Sequence, residues 1–380
     1  MKKNIFAAMI SIATLSVGTA LAVGPDSAGS GTQDYSYVLD SGNSVSVSRS
    51  TSTPKATGLS PDGVNLTNPF KSSSTTTLEA KWDYNGTVIG IATNNPYSVH
   101  LTYADGFMTN VGAKLTSSET AVLASRSINS NFKVFGGIRL NQFKATVDKP
   151  YYGGAANPTL TAAGGYRYSL DTGTATGFAI GAAYEIPEIY LRASIQFNSE
   201  IKHSNAKVTE SHPTLGTQNS TSNDYIAPAS TIIKLRSAIT PKMLAFANWR
   251  SSQYKKLVVE GPIHTTLGGG AIYDPASGVD YTLGLAFPLS DKFTALIGTA
   301  KGTDSDTGNA SSLAPFDGNT AQFIGASFKI SDTMEINGSY SLVTFGDANV
   351  DVIQSPGVAG VADFKDNKGS RVSLGTKISF

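Results

Sequence analysis

The chain of 380 residues contains no cysteine and few charged residues, 15% of the total. Without cysteine it cannot carry a disulfide scaffold, a thiolate metal site or a cysteine nucleophile. Its 29 Lys and Arg nearly balance its 28 Asp and Glu, giving a formal net charge of +1. That balance excludes the strongly basic surface of a nucleic-acid-binding protein, so we expect no nucleic-acid partner.

The residues that are abundant favour strands. Glycine occurs 38 times, tyrosine 16 times and phenylalanine 17 times, and aromatic residues are enriched in strands while glycine disfavours helices. The mean hydropathy is −0.08, an average typical of a soluble protein. Beyond the first 22 residues no stretch approaches 18 consecutive apolar residues, so we expect no transmembrane helix.

The first 22 residues resemble a cleaved signal peptide. Lys2 and Lys3 form a positive start, an apolar stretch covers residues 5–17, and Ala20 and Ala22 provide a small-residue cleavage site. The apolar stretch is too short to span a bilayer of ~30 Å. We therefore expect export, with residues 1–22 removed.

Beyond residue 76 the chain repeatedly alternates apolar and polar residues. In the last ten residues Val372, Leu374, Thr376, Ile378 and Phe380 alternate with Arg371, Ser373, Gly375, Lys377 and Ser379. Residues 132–141 and 189–198 follow the same pattern. A period of two predicts strands with one apolar and one polar face.

Short and long connections alternate between these strands. The short turns lie at Asn85-Gly86, Ile128-Asn129, Pro187-Glu188, Pro241-Lys242, Ser290-Asp291 and Ser331-Asp332. The long polar connections cover roughly residues 50–76, 94–109, 148–165, 202–228, 254–277, 302–317 and 347–367. Six short and seven long connections join 14 strands. The even count and the asymmetric ends are typical of outer-membrane barrels, with short periplasmic turns and long extracellular loops.

The sequence therefore predicts an all-β, 14-stranded antiparallel transmembrane β-barrel in the bacterial outer membrane. We assign residues 42–380 to the barrel and residues 23–41 to a short segment inside the lumen. In such a barrel the apolar face contacts lipid and lipopolysaccharide while the polar face lines the lumen. Fourteen strands give a backbone radius of about 14 Å. Such a lumen is an open channel, a plugged channel or a ligand pocket.

The chain ends on Phe380, an aromatic residue on the apolar face of the last strand. One interpretation is a residue of the aromatic girdle at the membrane interface. The other is the terminal signal that the barrel-assembly machinery recognises. The two interpretations are compatible.

Several segments resemble the FadL-type long-chain fatty-acid transporters, in particular a shorter branch that carries hydrophobic compounds. The resemblance rests on residues 182–193, 198–203, 134–139, 246–250 and 362–367, and covers roughly residues 77–380. It implies uptake of fatty acids or aromatic hydrocarbons, a hatch in the lumen, a pocket beside it and a lateral opening near the third strand. Gly90 and Pro96 lie on or just after that strand, where either residue weakens a strand ladder; an ordinary loop start is the alternative.

One feature departs from the family pattern. The family's hatch usually carries an Asn-Pro-Ala element, which is absent from residues 23–46, and Asn68-Pro69-Phe70 lies in a later connection. The hatch is therefore expected to be short or built differently.

Three inward-facing arginines, Arg139, Arg192 and Arg250, are candidates for binding a ligand carboxylate, because guanidinium and carboxylate pair in a fork geometry. Phe135, Phe143 and Tyr190 share faces with them and are candidates for an apolar pocket. The alternative is a structural network in which each arginine pairs with Glu185, Glu200 or another acid.

No sequence pattern indicates a catalytic or metal site. The four histidines are scattered and are expected to be solvated, Asp304–Asn309 lacks the spacing of a calcium loop, and Gly268–Gly270 lacks a phosphate-binding context. We expect no cofactor and no enzymatic activity. Passive transport of hydrophobic compounds is the main prediction. A general diffusion porin, or an outer-membrane enzyme or adhesin, is the alternative.

Overall fold

The computed structural model describes residues 33–149, 165–267, 271–275, 277–303, 312–355 and 358–380. The predicted signal peptide and residues 23–32 lie outside the described residues, as do Asp304–Asn309 and Gly268–Gly270. Within the described part, the architecture is a single closed sheet of twenty β-strands.

Fourteen of the strands form the barrel wall. They are β1 (Ser44–Leu59), β3 (Ser73–Tyr84), β4 (Thr87–Asn94), β6 (Gly112–Ser127), β7 (Phe132–Lys149), β9 (Ala175–Ile186), β10 (Leu191–Asn198), β13 (Ser230–Thr240), β14 (Met243–Ser252), β15 (Gly278–Pro288), β16 (Phe293–Gly302), β17 (Asp317–Lys329), β18 (Met334–Gly346) and β20 (Val358–Ser379). Each wall strand pairs antiparallel with the next, and β1 pairs with β20 from Ser44↔Ser379 onward, which closes the barrel. The predicted 14-stranded antiparallel barrel is confirmed.

Six tight turns lie at one end of the barrel, at the six predicted positions. At Asn85 and Gly86 both φ angles are positive, 53° and 78°, the conformation that a two-residue type I′ turn requires. Asparagine and glycine adopt that conformation at low cost. The hairpin registers of the wall are therefore set at this short-turn end.

The long-loop end carries six further strands. They are β2 (Asn65–Leu66), β5 (Ser98–Thr102), β8 (Tyr166–Asp171), β11 (Ile201–His212), β12 (Gly216–Ala227) and β19 (Ala348–Ser355). Residues 202–228 lie in the predicted connection between two wall strands, β10 and β13, and within it β11 and β12 pair as a hairpin. Likewise, β19 pairs with the start of β20 within residues 347–367. Alternating buried positions along β11 explain why a polar segment folds as a strand.

The described residues also include the short α-helix Pro262–Thr266 at the long-loop end. No helix in the described ranges has the length and apolarity needed to cross a membrane.

The two faces of the wall differ sharply in polarity. Outward-facing large apolar side chains remain exposed, for example Ile138 at 50%, Ile195 at 51% and Leu374 at 65%. Inward-facing polar side chains on the same strands are buried, including Arg139 at 0%, Gln196 at 4% and Ser373 at 6%. The exposed apolar side chains form a belt around the outside of the wall, which we call the apolar belt. A barrel that is apolar outside and polar inside is the inverse of a soluble barrel. Averaging the two faces gives the mean hydropathy near zero.

We predict that Ile297→Arg, which lies between Leu285 and Ile324 on the outward face, destabilises the barrel in lipid vesicles by about 2–4 kcal/mol, because an arginine near the bilayer midplane loses its hydration. Urea unfolding followed by tryptophan fluorescence measures the change. The control Thr53→Arg places the same charge on the outward face beyond the apolar belt. Equal destabilisation by the two variants would contradict the position of the belt.

Candidate functional site

The chain that precedes β1, residues 33–43, lies inside the barrel; we call it the inner segment. Its 3₁₀ turn Ser36–Leu39 is followed directly by the extended residues that lead to β1. Tyr35, Val38 and Leu39 are at most 1% exposed. Buried backbone outside a ladder needs side-chain partners, and the oxygen of Gln196 on β10 accepts from the Tyr35 N–H at 2.9 Å.

Glu119, on the inward face of β6, is the centre of the contacts that hold the inner segment. Its carboxylate accepts two bonds from Arg139, from Nη2 at 2.8 Å and from Nε at 3.2 Å. Asn141 donates to it at 3.1 Å. From the inner segment, Gln33 donates at 3.1 and 3.2 Å and the Tyr35 hydroxyl donates as well. The Glu119 carboxylate therefore accepts hydrogen bonds from the wall and from the inner segment at the same time.

The Glu119–Arg139 pair is completely enclosed, with both side chains 0% exposed. The third nitrogen of the Arg139 guanidinium also has a partner, because Nη1 donates to the Ser199 carbonyl at 2.9 Å. Burying two charges is costly and is offset only when geometry and hydrogen bonding are nearly complete. Loss of either partner therefore leaves a charge inside the barrel without compensation.

Further ion pairs anchor both ends of the inner segment. Asp34 pairs with Lys234 of β13 at 2.6 Å. Asp40 pairs with Arg192 of β10 at 2.7 Å, and Arg192 also pairs with Glu185 of β9 at 2.5 Å. The pairs of Asp34 and Asp40 tie the inner segment to the neighbouring strands β13 and β10, and Glu185 of β9 holds Arg192 in place.

Asp40 stays ionised well into the acidic range. Burial raises its pKa, but the positive charges of Arg192, Arg236 and Lys81 outweigh burial and lower the pKa to about 2, from 3.8. A lowered pKa means that the folded protein favours the charged carboxylate.

The inner segment also packs against an apolar patch of the inner wall. The patch comprises Val88, Ala92, Ala121, Leu123, Phe135, Ala179 and Ala183. Gly90 lies among them: a Cβ there would be 2.5 Å from Val38 Cγ1 and 2.8 Å from the Tyr37 hydroxyl. Gly90 is therefore required for the close approach of the inner segment. It does not mark a wall defect, because it pairs with Lys81 on one side and Leu123 on the other.

The wall is interrupted just beyond Gly90, where the third wall strand bends at Pro96. The ladder between β3 and β4 stops at Leu78↔Thr93, and the next bridge is Phe70↔Leu101. Between them, residues 72–77 and 94–99 face each other without ladder pairing; we call this stretch the wall interruption. Proline cannot donate to a ladder, and this accounts for the break at residue 96.

The bend is stabilised by side chains of the neighbouring strand. Asn95 donates through Nδ2 to the Ser117 carbonyl at 2.6 Å, and the Tyr97 N–H donates to the Ser117 hydroxyl at 2.8 Å. These bonds replace ladder bonds that the bend removes. As a result the Tyr97 side chain turns into the lumen, where it is 1% exposed.

An aromatic cluster lies above the inner segment, beside the wall interruption. Tyr97 packs against Phe143 with ring centroids 5.2 Å apart and against Tyr254 at 6.5 Å. The Tyr97 hydroxyl also donates to Gln33 Oε1 at 3.3 Å. Tyr97 therefore contacts both the aromatic cluster and the inner segment.

The long-loop end of the lumen is filled by a larger apolar cluster. Its members include Phe70, Tyr103, Tyr166, Ile263 and Phe364, contributed by strands around the circumference and by the short helix. Among the described residues, the long-loop end of the lumen is therefore packed with apolar side chains.

The structure gives the three arginines protein partners. Arg139 and Arg192 are held by Glu119, Asp40 and Glu185 as described. Arg250 is 2% exposed, and the register of β14 and β15 places it directly opposite the buried Asp280. For Arg139 and Arg192 the structure favours the alternative of a structural network over a free fork for a ligand, because the inner segment and the wall occupy both guanidinium groups.

The predicted aromatic residues do not form one pocket. Phe135 packs under the inner segment and Phe143 belongs to the aromatic cluster above it. Tyr190 lies in the tight turn between β9 and β10, with a left-handed φ of 55°. The strand alternation predicted from residue 189 begins two residues too early, because β10 starts at Leu191.

The histidines differ from expectation as well. His203, His212 and His264 are at most 3% exposed, because β11 and the short helix direct them inward; the prediction that they are solvated was wrong. His100 is exposed on β5. Among the described residues no group of three potential metal ligands occurs.

Sequence reasoning missed Glu119 and Tyr97. A signal for Glu119 was present, because the turn at Ile128-Asn129 sets the register of β6 and β7 and brings residues 119 and 141 opposite each other. Nothing local in the sequence indicates that Tyr97 turns inward.

We predict that Glu119→Gln lowers the free energy of unfolding by about 3–5 kcal/mol, because Arg139 stays buried without its counter-charge. Urea unfolding measures this. Combining it with Arg139→Met should recover most of the loss. The control Glu200→Gln breaks the exposed pair with Lys256 and should cost at most about 1 kcal/mol. Equal effects in the two single variants would show that Glu119 is not a structural centre.

We predict that acid loosens the inner segment. The stabilisation from Asp40, about 2 kcal/mol for this pKa change, is complete above pH 4 and is lost as the pH falls through about 2. Pepsin cleavage near residues 33–43 should increase over that interval. Asp40→Asn should remove much of the increase, while Asp171→Asn, at the exposed pair with Lys144, should not. Cleavage that is independent of pH in the native protein would contradict the role of Asp40.

No family model matches the chain, and no curated protein matches it. Solved structures do match. A FadL homologue from Pseudomonas aeruginosa has a TM-score of 0.73 at 13% identity, covering 96% of both chains. The toluene transporter TodX from P. putida has a TM-score of 0.64 at 10% identity, and the toluene transporter TbuX from Ralstonia pickettii has 0.61 at 11%, each covering 96% of both chains. The chain therefore has the fold of the FadL-type transport barrels.

Proposed function

We propose that the protein carries hydrophobic small molecules passively across the bacterial outer membrane, with the inner segment as its hatch. The observation that carries the proposal is the arrangement inside the lumen. An apolar cluster at the long-loop end leads to the aromatic cluster at Tyr97, which adjoins both the inner segment and the wall interruption. An apolar solute gains by leaving water for such surroundings.

The outward surface supports placement in the outer membrane. A belt of exposed apolar side chains surrounds the wall, with Trp82 and Tyr84 on it near the tight turns. Aromatic residues at the borders of such a belt are typical of outer-membrane barrels. The proposed export signal at residues 1–22 and the terminal Phe380, a proposed signal for the barrel-assembly machinery, agree with this placement. The tight turns then face the periplasm.

We propose that the wall interruption is a lateral exit. It begins where the outward face of β3 changes from Leu78 to Thr76, at the upper border of the apolar belt. A ligand leaving the aromatic cluster there reaches the upper border of the apolar belt and does not have to cross the periplasm-facing half of the lumen, which the inner segment occupies. Pro96 is the residue that keeps the exit free of ladder bonds.

The pairing of the arginines favours uncharged substrates over carboxylates. Arg139 and Arg192 are committed to protein acids, so a fatty-acid headgroup would have to compete with Glu119 or Asp40. The aromatic cluster offers tilted and edge-on rings, which suit small aromatic hydrocarbons. The neighbouring structures named as toluene transporters are consistent with that class.

No described cluster suggests chemistry on a substrate, so we propose transport without catalysis and without a cofactor. Uptake measurements test the proposal. Deleting the gene should abolish growth on, or accumulation of, toluene-like hydrocarbons, and the purified protein should bind them. Fatty-acid uptake that depends on the gene, without hydrocarbon uptake, would overturn the preference for neutral substrates. Unchanged uptake of both would overturn the transport proposal.

The absence of native cysteine allows a clean test of the exit. Ser74→Cys and Ser98→Cys place thiols on either side of the wall interruption. A short, reductively cleavable bis-maleimide linker should reduce uptake at least about tenfold, and cleavage of the linker should restore it, since the linker keeps the two strand segments together. The control pair Ser118→Cys and Gln142→Cys crosses an intact outward ladder and should leave uptake unchanged. Full uptake with the exit cross-linked would contradict lateral passage.

A further inference from the structure

Five basic side chains form an arc on the outer surface at the long-loop end, beside the wall interruption. Lys55 of β1 lies directly opposite Lys368 of β20, and His100 of β5 lies directly opposite Lys114 of β6. Lys71 lies between the two pairs: its backbone N–H donates to the His100 carbonyl at 3.0 Å, and the hydroxyl of the neighbouring Ser72 lies 3.2 Å from that of Thr53 on β1. We call these five residues the basic arc; all are exposed.

The charges of the basic arc are within electrostatic reach of one another. Burial and the positive charges of Lys114 and Lys71 lower the pKa of His100. Lys55 and Lys368 are like charges at directly paired positions, an arrangement that destabilises an antiparallel ladder.

Within the described part of the chain, no carboxylate pairs with the basic arc. Among the described residues, none of its five members forms an ion pair or a side-chain hydrogen bond. By contrast, Lys144, Lys202 and Lys256 each pair with a carboxylate, at 3.0, 2.6 and 2.5 Å. Like charges on adjacent strands without paired acids indicate that an external anion binds at this surface and neutralises them.

A zone of hydroxyl groups separates the basic arc from the apolar belt. Outward positions there are Thr51, Thr53, Ser74, Thr76, Thr116 and Ser118, and the exposed Arg49 lies at the lower edge of the zone, opposite Thr76. Several are already arranged as hydrogen-bonding pairs, with Thr51 and Ser74 hydroxyls 2.9 Å apart and those of Thr53 and Ser72 3.2 Å apart. Below them the apolar belt begins, at Val47 and Leu78.

We propose that this surface binds a phosphorylated glycolipid of the outer leaflet. Its three zones match the three parts of such a lipid: acyl chains on the belt, sugars on the hydroxyl zone and phosphates on the basic arc. A plain phospholipid has no saccharide to occupy the hydroxyl zone. The charge-assisted contacts of lysines with phosphate supply the affinity.

The position gives the bound lipid a role at the proposed exit. The basic arc spans the strands on both sides of the wall interruption, so the lipid borders the opening through which a hydrophobic substrate leaves. This inference rests on the outer-membrane placement within the proposed function, and it does not depend on which substrate is carried.

The test uses the full-length protein and bis-phosphorylated lipid A in detergent, with bound lipid measured by native mass spectrometry. The variant Lys55→Ala/Lys71→Ala/Lys114→Ala/Lys368→Ala should bind the lipid at least about tenfold more weakly. A matched variant, Lys202→Ala/Lys207→Ala/Lys256→Ala/Lys301→Ala, removes four positive charges elsewhere and should bind like the native protein. Heat-modified gel migration confirms that both barrels fold.

Two further probes identify what is recognised. Lipid A lacking both phosphates should bind the native protein as weakly as the phosphorylated lipid binds the arc variant. A phosphatidylglycerol of equal chain length should bind more weakly than lipid A. Equal losses in both lysine variants, undiminished binding of the dephosphorylated lipid, or competition by millimolar inorganic phosphate alone would overturn the proposal. Because these are binding measurements, loss of hydrocarbon uptake does not affect their outcome.

Discussion

The interior of the barrel depends on one buried carboxylate, that of Glu119. A 14-stranded wall encloses more space than its own side chains fill, so the lumen needs an additional segment, and that segment needs bonding partners in a dry interior. Glu119 provides them, because it pairs with Arg139 of the wall and accepts from Gln33 and Tyr35 of the inner segment. The cost of burying the charge is offset only while all these partners are in place.

The wall and the inner segment constrain each other. Gly90 has no side chain, so Val38 and Tyr37 approach the wall closely. A few residues along the same strand, Pro96 breaks the ladder and Tyr97 turns inward to meet Gln33. The third wall strand therefore contacts the inner segment at Gly90 and leaves the ladder of the wall at Pro96. The aromatic cluster, the inner segment and the wall interruption meet at this place for that reason.

Much of the fold follows from the sequence. The period-two alternation predicts which side chains face outward, and the structure agrees at Val372, Leu374 and Ile378, while the six tight turns lie where Pro, Asn and Asp predict them. Hairpin strands such as β11 are not predictable from their polar composition, because their apolar partners come from distant loops at the long-loop end. The roles of the arginines also escape local reasoning. Whether Arg139 binds a ligand or a neighbouring acid depends on the register between strands and on the path of the inner segment.

Single-channel conductance in planar lipid bilayers tests the account most directly, since a lumen closed by the inner segment differs there from an open porin. We expect the native protein to show almost no steady conductance. Gly90→Val, which places side-chain atoms where Val38 and Tyr37 lie, should displace the inner segment and open a steady aqueous channel, and adding Val38→Ala should reduce it again. A large, steady conductance in the native protein, unchanged by Gly90→Val, would contradict the closed lumen and indicate a general diffusion porin.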